Sequence, residues 1–446
     1  MARGTHHLVG LGRKATTVAT VTAMAAAGIV VATGTAAGAA TSTATCVATH
    51  SPSKAELAST TGVTKNSVTV GNVSIITGPV PGLFQGAPYG ADAYFAYINS
   101  KGGVNGRKLH LQSSDDAFSG TQNQAAVQSI VKNDFAEVGS FSLFDNYSCS
   151  TLAQNPAVPD VSASLDASTN ALPNAFSPQP LAQGTSEAGY VYIKKHYPKV
   201  ITHVANLVSN TDTALQQWAG QRHALEQLGY KFSYVRDVSP LESNFTTDVV
   251  NMRNKGVQMV LMTDGDWQIF AALQKEMAQQ NYHPQIVYSA GPIYDGHYIP
   301  AAGGATTTNG TWLVQSQSLY LGQDAKKIPA VQTFDTWMAK THPGFQSDLF
   351  TVYGWTSAQL FVQALQKAGK NPTRGSVLAQ LKKITSFTAS NLIAPSNPAK
   401  KIPANCVIFA QIKNGNFTRV APTTGSSYDC QYPYSSIHGV LPKVNP

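Results

Sequence analysis

Between residues 67 and 116 the chain runs strand, Gly/Pro loop, helix, tight turn, strand, and that order leaves few folds open. The segment reads SVTVGNVSIITGPVPGLFQGAPYGADAYFAYINSKGGVNGRKLHLQSSDD. Val68, Val70 and Val73 with Ile75 and Ile76 make a short, largely apolar strand bounded by Gly and Pro. Ala91, Tyr94, Phe95 and Ile98 recur at helical spacing, so a helix there buries one face. Gly102-Gly103 stops it, because glycine takes the left-handed cap conformation without a steric penalty. Asn105-Gly106 is a turn dipeptide. Leu109 and Leu111 then alternate with His110 and Gln112, the two-residue period of a strand. Two strands joined by a crossover helix predict a parallel sheet.

The alternation continues. Helices are expected at 120–134, 146–155, 213–228, 245–255, 267–280, 328–340, 353–367 and 374–382. Strands are expected at 136–141, 202–208, 231–238, 257–262, 285–289 and 312–316, with a hairpin at 406–412 and 417–420 across Asn414-Gly415. This is an α/β chain with helices on both faces of parallel-rich sheets. Pro156, Pro159, Pro173, Pro178 and Pro180 mark an irregular stretch that reads as a first crossing between two lobes. A Gly/Thr-rich link at 301–310 reads as the second and 391–403 as the third. The expected organisation is a leader at 1–40 and a polar lead-in at 41–66. The first lobe is expected to comprise 67–177 and 311–403, the second 178–310 and 404–421, with a tail at 422–446.

The strand VTVGNVS, the loop Thr77-Gly78-Pro79, the helix GADAYFAYIN, the turn GGVNGRKL and the pair Asp115-Asp116 closely resemble the start of the branched-chain amino-acid-type solute-binding proteins of ABC transporters. Ser243-Asn244-Phe245-Thr246 and Tyr353-Gly354-Trp355-Thr356-Ser357-Ala358 resemble later segments of that family. The resemblance covers roughly 67–420. It implies the type I periplasmic-binding-protein fold: two Rossmann-like lobes joined by three hinge crossings. It also implies capture of a small molecule, an ABC permease as partner, a monomeric state and no enzymatic chemistry. An extracellular sensor of the same fold, coupled to a signalling partner, is the alternative.

Composition fits export. Charged residues are 12% of the chain, well below the ~25% of typical soluble proteins. Arg3, Arg13 and Lys14 open a leader whose 15–33 segment is uncharged and mildly apolar, followed by small residues up to Ala39 and Ala40, where cleavage is expected. The net charge is +8, of which the leader carries three, and the rest is scattered without aromatic interleaving, so nucleic acid is not the expected partner. All four cysteines lie past the leader, and an even count in an exported chain favours disulfides. Three pairings exist. Cys406–Cys430 is favoured because it would staple the tail to the last strand, which leaves Cys46–Cys149. The alternative for Cys46, lipidation, is poorly matched by Thr43-Ala44-Thr45.

No G-x-S-x-G elbow, Walker A loop or H-E-x-x-H is present. His110, His196, His203, His223, His283 and His297 have no metal-ligand spacing, and no cofactor or metal is expected. In open α/β sheets, ligands sit beyond the C-terminal ends of strands. Those ends supply the candidate ligand-binding residues: Leu83, Phe84, Leu143, Phe144, Asp145, Ser164, Asp166, Asp212, Asp264, Trp267, Tyr294 and Trp355. The resemblance implies two first-lobe hydroxyls holding an amino-acid carboxylate and a second-lobe acid holding the ammonium group. Those positions fall near Leu143, Asp166 and Gly291, so the chain departs from the amino-acid pattern at all three. A neutral or cationic ligand is the resulting expectation: an amide, an amine or an aromatic compound.

Overall fold

The computed structural model describes residues 46–180, 184–402, 404–424 and 427–436. The leader at 1–40 and its cleavage point lie outside them. The first sheet contains β1 (Ser67–Ser74), β2 (Lys108–Asp115), β3 (Glu137–Val138) and β4 (Asp160–Val161), all parallel, in the order β2-β1-β3-β4. β5 (Gly184–Ser186) stands apart. The second sheet contains β6 (Val204–Ser209), β7 (Phe232–Val238), β8 (Met259–Thr263), β9 (Ile286–Ser289), β10 (Trp312–Gln315), β11 (Ile408–Lys413) and β12 (Asn416–Ala421). Its order is β12-β11-β10-β9-β8-β6-β7, parallel from β7 to β10 and antiparallel through β11 and β12. β13 (Tyr434–Ser436) pairs antiparallel with β5, which gives the aperiodic tail a place on the second lobe.

The opening unit folds as its pattern predicts. β1 and β2 pair in parallel from Ser67 opposite Lys108 to Ser74 opposite Asp115. The helix Gly86–Ser100 buries Ala91, Tyr94, Phe95 and Ile98. Gly103 has φ 80°, and a Cβ there would lie 2.0 Å from the Arg107 carbonyl oxygen, so this turn requires glycine. All six residues of β6 are buried, as expected of a central parallel strand covered on both faces. Asp115 accepts from the backbone N–H groups of Ile76, Thr77 and Ala117 and so ties the loop after β1 to the end of β2. Asp116 accepts from Ser142 Oγ at 2.5 Å and Asn123 Nδ2 at 3.0 Å. The acidic pair is a strand-end fastening.

One boundary differs. β10, expected in the first lobe, is hydrogen-bonded between β9 and β11 in the second sheet. An apolar run of four residues does not reveal its neighbours, and only the sheet does. The chain leaves the second sheet after Gln315, not within 301–310. There Ser316–Ser318 runs beside Leu392–Ala394, with Ala394 N–H donating to Ser316 O at 2.7 Å and Ser318 N–H to Leu392 O at 2.9 Å. Gln317 Nε2 donates to Gln179 Oε1 at 2.9 Å, which brings the first crossing alongside. The three crossings therefore form one laced strip between the lobes.

Cys46 is bonded to Cys149 and Cys406 to Cys430, the pairing favoured from the sequence. Among the described residues no helix is long and apolar enough to cross a membrane.

Candidate functional site

A cavity of about 320 Å³ lies at the C-terminal ends of both sets of parallel strands. Its two walls differ in chemistry. Leu83 and Phe84 follow β1, Phe141 and Leu143 follow β3, and Leu165 follows β4. Leu349, Phe350 and Tyr353 join them from the start of the helix Leu349–Ala368. The rings interlock: Phe84 lies 4.7 Å from Phe141 and 4.5 Å from Phe350, and Phe141 lies 5.4 Å from Tyr353. Aromatic contacts at these separations favour edge-to-face and offset packing, which holds the wall rigid. The first-lobe wall is thus almost wholly apolar.

The second-lobe wall is mixed: Leu261, Met262, Ile269, Val314 and Val407 line it beside Ser209, Thr263, Asp264, Asp266 and Gln315. Asn206 Nδ2 donates to Thr263 Oγ1 at 2.8 Å, and Thr263 Oγ1 donates to Gln221 Oε1 at 2.7 Å. Gln221 in turn donates to the Tyr190 hydroxyl. Ser209 ends β6, Asp264 and Asp266 follow β8, and Gln315 ends β10. Four oxygens of this wall have no hydrogen-bond partner among the described residues: Ser209 Oγ, Asp264 Oδ2, Asp266 Oδ1 and Gln315 Oε1. Asp264 holds the left-handed conformation at φ 52°, which Asp and Asn tolerate better than other side chains. Among the described residues no Lys, Arg or His lines the cavity.

Burial pushes the Asp264 carboxyl up to about 7 and that of Asp266 up to about 8, the latter helped by Asp295 and Asp348. A carboxyl raised in the native state holds a proton that the unfolded chain has released. The native state then binds more protons between the two values, so stability is highest near pH 4 and falls as pH rises through about 7. Asp264→Asn cannot ionise and tolerates the same backbone conformation. It should match the parent near pH 4 in urea unfolding and exceed it at pH 8.5 by on the order of 4 kcal/mol. An equal difference at both pH values would show that Asp264 ionises freely.

A second void of about 20 Å³ sits behind the apolar wall, lined by Glu137, Asp145, Asp160, Ser162 and Ser164. It has room for about one water. Burial raises all three carboxyls, and like charges add to the rise for Glu137 and Asp145. Among the described residues no group of three or more His, Cys, Asp or Glu could hold a metal ion.

Of the candidate residues, Leu83, Phe84, Leu143 and Asp264 line the main cavity. The others sit elsewhere. Phe144 packs edge-on against Phe118 at 5.2 Å. Asp145 Oδ2 accepts from the N–H groups of Leu165 and Asp166, and Ser164 lines the small void. Asp166 caps the helix Ala167–Ala171 through Thr169 N–H at 2.7 Å. Asp212 opens the helix Asp212–Gln227, whose cap is Thr211. Trp267 stacks on His297 at 5.6 Å. Tyr294 and Trp355 are core residues. The Tyr294 hydroxyl accepts from Leu321 N–H, and Trp355 packs edge-on against Tyr94 at 4.9 Å. Aromatic type signals burial but not which side of a helix or loop is buried, so the sequence alone does not place these three rings. Tyr190, Gln221, Phe350 and Tyr353 escaped notice because they sit on helices, away from the strand-end loops.

Of the three positions that the resemblance picks out, Leu143 and Gly291 line the cavity and Asp166 does not. Leu143 faces the cavity where a hydroxyl is expected, and neighbouring Ser142 is spent on Asp116. Leu165, not Asp166, lines the wall. A Cβ at Gly291 would face Leu349 Cδ2 at 3.6 Å, and nearby Asp295 turns to His297 at 2.9 Å.

The model of a family described as periplasmic binding protein matches residues 67–416. An amino acid binding protein of Pseudomonas aeruginosa is 25% identical over 291 residues, 61% of this chain and 71% of that protein. The fatty acid ABC transporter substrate-binding protein of Thermomonospora curvata has the same fold at a TM-score of 0.69. The two are 16% identical, with 85% of this chain and 95% of that one covered. A branched-chain amino acid ABC transporter protein of Thermus thermophilus, solved with bound valine, also reaches a TM-score of 0.69. It is 18% identical, with coverage of 80% and 96%.

Proposed function

Because the chain belongs to the periplasmic binding protein family, we propose that it captures a small organic molecule between its two lobes and hands it to an ABC importer. The observation that carries this reading is the cavity itself. It is built from the strand ends of both lobes, next to a strip of three crossings about which the lobes can hinge. Export to an oxidising compartment accords with the two disulfides and the charged, then apolar, leader. The family consists of solute-binding proteins, and the ligand leaves unaltered. The relatives' cargo ranges from valine to fatty acid, so the family by itself does not name the ligand.

The test begins with the protein purified natively from its own host. Mass spectrometry of the denatured sample should release a small molecule in near-stoichiometric amount. Returned to refolded protein at one hundred times its dissociation constant, that molecule should add about 2.7 kcal/mol of stability and raise the melting temperature by several degrees. Uptake of the same molecule should stop when the gene is deleted. Failure to recover any ligand, together with no stabilisation across a broad metabolite set, would sink the capture reading. Capture without an uptake defect would remove only the importer.

A further inference from the structure

With capture as its role, the cavity says more about the ligand through its asymmetry than through its position. The volume of about 320 Å³ is roughly twice the ~150 Å³ that accommodates benzene in an engineered apolar cavity. One side offers methyl groups and ring faces from Leu83, Phe84, Phe141, Leu143, Leu349 and Phe350, each less than a tenth exposed. Water against such a wall is released when an apolar body covers it, and that release drives binding.

The other side offers oxygens that lack partners. Ser209 and Gln315 are 1% and 4% exposed, and neither Ser209 Oγ nor Gln315 Oε1 has a hydrogen-bond partner among the described residues. Gln315 spends its amide N–H groups on the carbonyl oxygens of Gln317 and Ser318, which leaves its own oxygen free to accept. β6 and β8 pair with Val208 opposite Thr263, which sets Ser209 beside Asp264 at the cavity edge.

Building on the capture reading, we propose that the cavity takes an uncharged amphipathic molecule of about a dozen non-hydrogen atoms, scaled from the benzene cavity. Its apolar body lies on the first-lobe wall, and a hydroxyl or carboxamide head lies at the second-lobe strand ends, where Ser209 and Asp264 sit side by side. An anionic head meets no Lys, Arg or His among the described residues to pair with. An ammonium head must be stripped of water in a site whose burial already pushes both acids toward their neutral forms. A free α-amino acid carries both charges at once, so both objections apply to it.

Straight-chain probes separate these cases. The refolded exported chain would be titrated calorimetrically at pH 7 with hexan-1-ol, octan-1-ol and decan-1-ol, and with octanamide, octanoate, octylammonium and L-leucine. The alcohols should bind one to one, with affinity rising about threefold to fourfold per added methylene until the cavity is full. Octan-1-ol and octanamide should bind at least tenfold tighter than octanoate, octylammonium or L-leucine. An affinity that ignores chain length, or no binding by alcohols and amide, overturns the proposal. So does equal or tighter binding of either charged octyl probe or of leucine, but any saturable charged hit leaves capture itself standing. Recovery of the native ligand tests capture separately.

Discussion

Replacing Gly354 with valine should leave the first lobe unable to fold, and Gly354→Ala should lower its stability by about 3 kcal/mol. The helices Gly86–Ser100 and Leu349–Ala368 approach so closely that a Cβ on Gly354 would lie 1.8 Å from the Ala87 carbonyl oxygen. From the other side, a Cβ on Gly90 would lie 2.0 Å from the Thr351 carbonyl oxygen. Both obstacles are helical backbone, so relief requires the helix axes to separate. Separation loosens the packing of Tyr94 on Trp355 and of Phe95 on Phe361. It also displaces Phe84 from Phe350, so ligand binding should weaken along with stability. Gly322→Ala is the control. Gly322 has no positive φ, and its nearest obstacle is 3.8 Å away, so its cost should stay below about 0.5 kcal/mol. Urea unfolding of the three variants checks this. A Gly354→Ala protein as stable as the parent would mean that the helices do not pack through this glycine pair.

Removing the Cys46–Cys149 bridge should cost about 2–5 kcal/mol and more than removing Cys406–Cys430. The first bridge spans 103 residues and encloses β1, β2, β3 and their helices, whereas the second spans 24. In the chain-entropy account the longer loop restrains the unfolded chain more, by about 1 kcal/mol. Cys149 is 1% exposed among Val127, Ile130 and Leu152, so the variant should be Cys46→Ser with Cys149→Ala, which buries no new hydroxyl. The measurement is the denaturant midpoint of each double variant without reductant. A larger loss for the 24-residue bridge would show that docking of the tail beside β5, not loop closure, sets the cost.

Much of the architecture was legible because its signals are local. Periodicity placed the helices at Asp212–Gln227, Thr246–Asn254 and Trp267–Gln279 to within a residue or two, since an amphipathic face repeats whatever it packs against. Turn chemistry placed Gly103 and Asn105-Gly106 because few residues accept those backbone angles. Of the three possible disulfide pairings, the favoured one is the one observed. β10 was legible as a strand but not as a member of the second sheet, because four apolar residues in a row carry no record of their hydrogen-bond partners.

For the site, the chain order determined which loops gather at the strand ends, and so Leu83, Phe84, Leu143 and Asp264 could be named in advance. Only the tertiary structure decided that Trp267, Tyr294 and Trp355 turn away while Tyr190, Gln221, Phe350 and Tyr353 turn inward. That the first-lobe side of the cavity is almost wholly apolar is likewise a tertiary fact. Sequence constrains backbone conformation and burial over a few residues at a time. Which buried surface becomes core and which becomes cavity depends on contacts between segments far apart in the chain, and no local pattern encodes them.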